Sequence, residues 1–160
     1  MSTTTSAASG DTAASRRAIE DLIITYAMLV DEGDFAGVGA LFDDATIITN
    51  TNSVSGSEAV EKVFRDMLIT YADGSPCTNH VTTNILVQVE AEIGTASSRS
   101  CFTVTQGLPD FPLQVICAGR YHDQFVNRAG KWRFVERRLS FTSVGDMSRH
   151  LRVNVTTGAA

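Results

Sequence analysis

The sequence predicts an α+β domain in which N-terminal helices pack on one face of a strongly curved, mostly antiparallel sheet and enclose a pocket. Three observations predict it. Apolar residues recur at helical spacing up to about residue 71. After the segment ADGSP the period changes from 3.6 to 2. Four long alternating stretches then follow, and only short turn-like breaks separate them.

The elements can be justified in order. Residues 1–14 are rich in Ser, Thr, Ala and Gly, with no basic start and no apolar run. They are expected to be a flexible tail and not a secretory signal. A first helix is expected from Ser15 to Asp31, with Ile19, Leu22, Ile23, Tyr26, Leu29 and Val30 at helical spacing. Its second half is apolar on nearly every side. Gly33 stops it, and Asp34 can cap a short second helix, FAGVGALF. ATIITN reads as a short strand that ends in a polar turn, NTNSVSG. Ser57 is then expected to cap a third helix, SEAVEKVFRDMLITY, whose stripe is Val60, Val63, Phe64, Met67, Leu68 and Tyr71.

The strands are expected at Thr78–Glu90, Thr95–Gln106, Leu113–Val126 and Lys131–Val144. The breaks EAEIG, GLPDFP and NRAGK are short enough for hairpins. One domain is expected over residues 15–150, with a second flexible tail over 151–160. No internal repeat or linker divides the chain.

Bulk properties exclude several function classes. A chain of 160 residues with 43% hydrophobic and 19% charged residues suits one folded domain. The net charge of −5 argues against a nucleic-acid or anionic-membrane partner. No run is long enough to span a bilayer. Cys77, Cys101 and Cys117 are widely spaced and form no disulfide framework or CxxC metal site, so a cytoplasmic location is expected. There is no GxSxG elbow, P-loop or GxGxxG, and no metal or cofactor is expected.

Asp31 ends the apolar helix and raises the central question. If that helix end is buried, the carboxylate needs a donor or cation, because burial and the helix C-terminus both disfavour an anion there. If it belongs to an exposed turn, DEGD, it needs nothing. Three histidines are available. His80 lies in NHVTTN, where His80, Thr82 and Asn84 share the more polar strand face. His122, in GRYHDQF beside Arg120 and Asp123, reads as a solvated strand face, and His150 as surface. Tyr26 lies a turn and a half before Asp31 and reads either as core or as a pocket hydroxyl. In WRFVERRLSF, Arg137 shares a face with Arg133, Val135 and Leu139. It is either solvated or turned into the pocket to bind an anion.

Three stretches carry a family resemblance: AIEDLIITYAMLVDEGDFAGVGALFDDATI, NHVTTNILVQV and AGRYHDQFVNRAGKWRFVERR. Together they resemble the SnoaL-like branch of the NTF2-like superfamily, over roughly residues 15–150. The resemblance implies the NTF2-like (cystatin-like) cone. Within that superfamily the hexachlorocyclohexane dehydrochlorinases, the bile acid 7α-dehydratases and the scytalone dehydratases offer enzyme patterns. On the first, Asp31 and His80 match a catalytic dyad and Arg137 a pocket arginine, while the position of the catalytic lysine is Tyr26. On the second, Tyr26 and Asp31 keep the Tyr-x4-Asp spacing. The resemblance implies a cofactor-independent lyase or isomerase, dehydratase-like, with catalytic Asp31, His80 and Tyr26 and substrate-binding Arg137. The expected substrate is small, apolar and aromatic or alicyclic, in a lining guessed as Phe42, Phe64, Phe102, Trp132 and Phe134. The expected assembly is a homodimer or homotrimer. A polyketide cyclase, a non-catalytic subunit and a ligand-binding module are the competing readings.

Overall fold

The computed structural model describes residues 5–153. Its helices are α1 (Thr5–Glu32), α2 (Phe35–Leu41) and α3 (Ser57–Met67). Its strands are β1 (Thr46–Ile48), β2 (Ser53–Ser55), β3 (Thr78–Glu90), β4 (Thr95–Leu108), β5 (Phe111–Arg128) and β6 (Lys131–Val144). All six strands form one sheet in the order β2-β1-β6-β5-β4-β3. β1 runs parallel to β6, and the other neighbours are antiparallel. Helix α1 packs on β3, and α2 on α3. The architecture is α+β.

Several boundaries differ from the sequence expectation. Helix α1 begins at Thr5, so residues 5–14, expected as tail, continue the helix. Adding residues to an anchored helix is cheap, and Ala favours it. Residues 1–4 and 154–160 lie outside the described residues. One side of α1 is solvated, with Ile24 and Met28 exposed. The polar stretch NTNSVSG contributes β2, because hairpin pairing with β1 satisfies its backbone. Helix α3 stops at Met67, where Leu68 turns extended to bridge Leu151. Its N-cap is Gly56, without a side-chain cap bond, in place of the expected Ser57. Asp34 does cap α2, accepting a hydrogen bond from Gly37 N at 2.9 Å.

The inward face of the sheet and the buried stripe of α1 share one core. Ile19, Ile23, Tyr26 and Val30 meet Phe42, Phe102, Tyr121, Phe125 and Phe134. Rings fill its centre: Phe42 stacks on Phe134 with centroids 4.9 Å apart, and Phe102 on Tyr121 at 4.6 Å. Gly119 allows the second stack, since a Cβ there would lie 2.4 Å from the Phe102 ring. Of the expected lining residues, Phe42, Phe102 and Phe134 are thus packed ring on ring.

Register shifts decide which side chains point inward. One falls between Thr83 and Leu86, where Asn84 has φ 53°. It puts Ile85, Val87 and Val89 inside and Asn84 outside, so Asn84 does not share the face of His80 and Thr82. Another falls at Phe125, opposite the Phe134–Glu136 stretch. It lets Phe134 and Arg137 both point inward, although they differ in parity. All three cysteines are free. Among the described residues no helix is long and apolar enough to cross a membrane.

Candidate active site

Asp31 sits at the C-terminal end of α1, where Gly33 turns the chain with φ 75°. A Cβ on Gly33 would lie 2.2 Å from Gly74 O, so only glycine lets the loop before β3 approach this closely. That loop brings the start of β3 against the helix end. Thr78 and His80, two apart in β3, face the carboxylate together.

Three bonds then hold Asp31. Thr78 Oγ1 donates to Oδ1 at 2.8 Å. The His80 backbone N–H donates to Oδ2 at 2.7 Å. His80 Nδ1 lies 2.6 Å from Oδ1. Burial raises the Asp31 carboxyl, but the hydrogen bonds from His80 and Thr78 and the His80 charge outweigh it and hold it below its usual value. An ionised carboxylate only accepts, so the contact places a proton on Nδ1. Among the described residues nothing hydrogen-bonds to Nε2. The side chains are 9% (His80) and 21% (Asp31) exposed, so the pair lies at the rim of the core.

Tyr26 and Arg137 form a second group. Arg137 Nε donates to Asp123 Oδ1 at 2.9 Å, and Nη2 donates to Oδ2 at 2.8 Å. Both side chains are 0% exposed. The guanidinium carbon lies 4.2 Å from the Tyr26 ring centroid and 4.0 Å from that of Tyr121. Burial lowers the Arg137 pKa, but the Asp123 charge and hydrogen bonds outweigh it and raise it. Burial raises Tyr26, so its phenol stays protonated; the Arg137 charge opposes that only in part. Among the described residues Arg137 Nη1 is buried without a hydrogen-bond partner.

The structure therefore brings Asp31 to His80, and Tyr26 to Arg137. No described hydrogen bond or ring contact joins the two pairs. Four participants lay outside the sequence expectation. Thr78 shares the face of His80 two residues on, a signal available from alternation. Asp123 sits between Tyr121 and Phe125 at period 2, which also marks an inward position. Gln106 and His150 carried no such signal, and His150 is buried, not on the surface as expected. His122 is exposed, on the outer face. Among the described residues no group of three or more His, Cys, Asp or Glu could hold a metal ion.

A family model described as a SnoaL-like domain matches residues 11–138. The chain belongs to the SnoaL-like family. No curated protein sequence matches it significantly. Solved structures that resemble this SnoaL-like chain include an NTF2-like protein with a cystatin-like fold from Novosphingobium aromaticivorans. Its TM-score is 0.73 at 19% identity, covering 93% of this chain and 96% of that one. A candidate scytalone dehydratase from the same organism has a TM-score of 0.71 at 22% identity, covering 95% and 99%. A hexachlorocyclohexane dehydrochlorinase from Novosphingobium barchaimii has a TM-score of 0.67 at 20% identity, covering 84% and 91%. At these identities the likeness establishes a shared fold, and the SnoaL-like chain has the NTF2-like, cystatin-like architecture.

Proposed function

We propose that the protein is a cofactor-independent lyase or isomerase, dehydratase-like, in which Asp31 and His80 act as a general-base dyad. The observation that carries this reading is the 2.6 Å contact between His80 Nδ1 and Asp31 Oδ1. Asp31 fixes the ring tautomer, and Nε2 is left with its lone pair to take a proton from a carbon acid. Asp31 then stabilises the imidazolium. Loss of a β-hydroxyl completes an elimination; return of the proton to another carbon completes an isomerisation.

The remaining groups have supporting parts. Arg137 keeps one buried, unpartnered donor, Nη1, which supports an oxygen-binding role for developing negative charge. Tyr26 stays protonated, so its hydroxyl is available to donate a hydrogen bond. The enzyme patterns offered by the family resemblance favour a small apolar cyclic substrate. Exposed Val81 and Leu86 on β3, and Leu113 and Val115 on β5, support subunit pairing through the sheet. The free cysteines fit a cytoplasmic location.

The test is a panel of cyclic β-hydroxyketones in D2O, followed by NMR for water loss and for deuterium at the α carbon. Wild type is expected to turn over at least one of them, and His80→Ala to lose that activity with its fold intact. Equal turnover by the variant overturns the proposal.

A further inference from the structure

The outer face of the sheet carries a groove that the dyad does not use, and strand register brings its residues together. Arg138 of β6 pairs with His122 of β5 on one side and with Ile48 of β1 on the other. Arg99 of β4 pairs with His122 in turn. Neighbouring strands lie about 4.8 Å apart, so Arg99, His122 and Arg138 form one row across three strands. Their chain neighbours Asp123 and Arg137 point the other way, into the core. A cavity of about 200 Å³ opens at this row, and its lining includes Ile48, Asn50, His122, Arg138 and Ser140. The turn after β1 forms one wall. Thr49 N donates to Asn52 O at 2.8 Å, and Asn52 N to Thr49 Oγ1 at 3.1 Å. That turn engages Thr49 and sets Asn50 at the groove.

The polar groups here are left open. Among the described residues no side-chain hydrogen bond or ion pair engages Asn50, Arg99, His122 or Ser140. Arg138 Nε lies 2.6 Å from Glu136 Oε1, its one ion-pair partner among the described residues. The chain carries a net charge of −5, yet this row gathers two arginines and a histidine. Like charges side by side on a sheet repel, and an anion between them relieves that.

The surroundings narrow the choice of anion. The Arg138 guanidinium, a His122 ring nitrogen, the Asn50 amide and the Ser140 hydroxyl can all donate. The Glu136 carboxylate nearby disfavours a dianion more than a monoanion. Ile48 adds apolar surface beside the donors. A planar carboxylate on a small apolar body meets these conditions, and its plane matches the guanidinium.

We propose that this groove binds a small organic acid through its carboxylate. The groove lies on the opposite face of the sheet from the dyad, so its assignment is independent of that reading.

The test titrates benzoate, benzamide and inorganic phosphate into the whole chain, followed by 1H–15N NMR of the backbone amides and the His122 ring. Benzamide keeps the shape without the charge, and phosphate keeps the charge without the apolar body. Benzoate is expected to bind more tightly than either, with saturable shifts centred on Asn50, His122 and Arg138. Arg138→Gln should weaken it roughly tenfold. Arg133 is exposed on the same strand outside the groove, and Arg133→Gln should leave benzoate binding unchanged. Thermal unfolding of both variants checks the fold. Shifts that never saturate or that centre on His80, benzamide or phosphate binding as tightly as benzoate, or an equal loss in Arg133→Gln overturns the proposal. If wild type does not bind benzoate and Arg138→Gln breaks an oligomer in sedimentation, the groove is a subunit contact instead. The readout is binding, so turnover of His80→Ala judges the dyad alone.

Discussion

Two carboxylates on the inward side of this fold are each paired with a nitrogen base, and the pairs differ in what they leave free. Asp123 gives both oxygens to Arg137, and both residues are fully buried between aromatic rings. Asp31 gives its oxygens to Thr78 and His80 at the rim of the core, and one ring nitrogen of His80 is left unengaged. The first pair is closed on itself except for Nη1. The second is held firmly on one side and open on the other. A fully buried ion pair and a candidate catalytic dyad therefore differ less in their partners than in their unsatisfied atoms.

The comparison can be broken first at the dyad. His80→Ala and Asp31→Asn are expected to lower turnover by about 100- to 10,000-fold, with little change in unfolding midpoint. Steady-state kinetics beside thermal unfolding measures this, and a large loss of stability with modest loss of rate would make the pair structural. The inner pair should show its larger effect in stability. Asp123→Ala leaves a buried cation uncompensated and is expected to destabilise by about 3–5 kcal/mol in urea unfolding. Asp123→Leu combined with Arg137→Met should recover much of that.

These two pairs also show how far the sequence could be read. The long strands were legible because their period of 2 and their turns are local: Thr78–Glu90 and Lys131–Val144 end where the sequence places them. The Asp31–His80 proximity was implied by the family resemblance, whereas chemistry alone said only that a carboxylate closing a buried apolar helix needs a donor. What failed was parity. Register shifts near Asn84 and Phe125 reverse which residues face inward, and neither is written in the hydrophobic pattern. Asp123 was read as solvated with its neighbours His122 and Arg120, although Tyr121 and Phe125 flank it at strand spacing. His150 was missed because its burial depends on the chain folding back onto Leu68, a contact between distant residues.

A smaller effect separates the dyad from its neighbour His150. Burial lowers the His150 pKa from 6.5 to about 4. Between these values the unfolded chain takes up a proton and the folded chain does not. Stability should therefore fall as pH drops from about 6.5 to about 4, by at most about 3 kcal/mol, and be insensitive to His150 above that window. Asp31 contributes in a different range. Its carboxyl is lowered, so its stabilisation is present above the usual carboxylate pKa and is lost only as pH falls below it. Urea unfolding at several pH values should show a slope across the first window that His150→Phe flattens. The smallest expected effect is Thr78→Val, which removes one of three bonds to Asp31. It should cost about 1 kcal/mol and move the Asp31 carboxyl back toward its usual value, as read by 13C NMR titration.

The most direct measurement is the tautomer of His80, from long-range 1H–15N NMR of histidine-labelled protein at a pH where the ring carries one proton. The proton is expected on Nδ1, bound to Asp31, with Nε2 showing an unprotonated shift, and Asp31→Asn is expected to lose that preference. A proton on Nε2 in the wild type would contradict it.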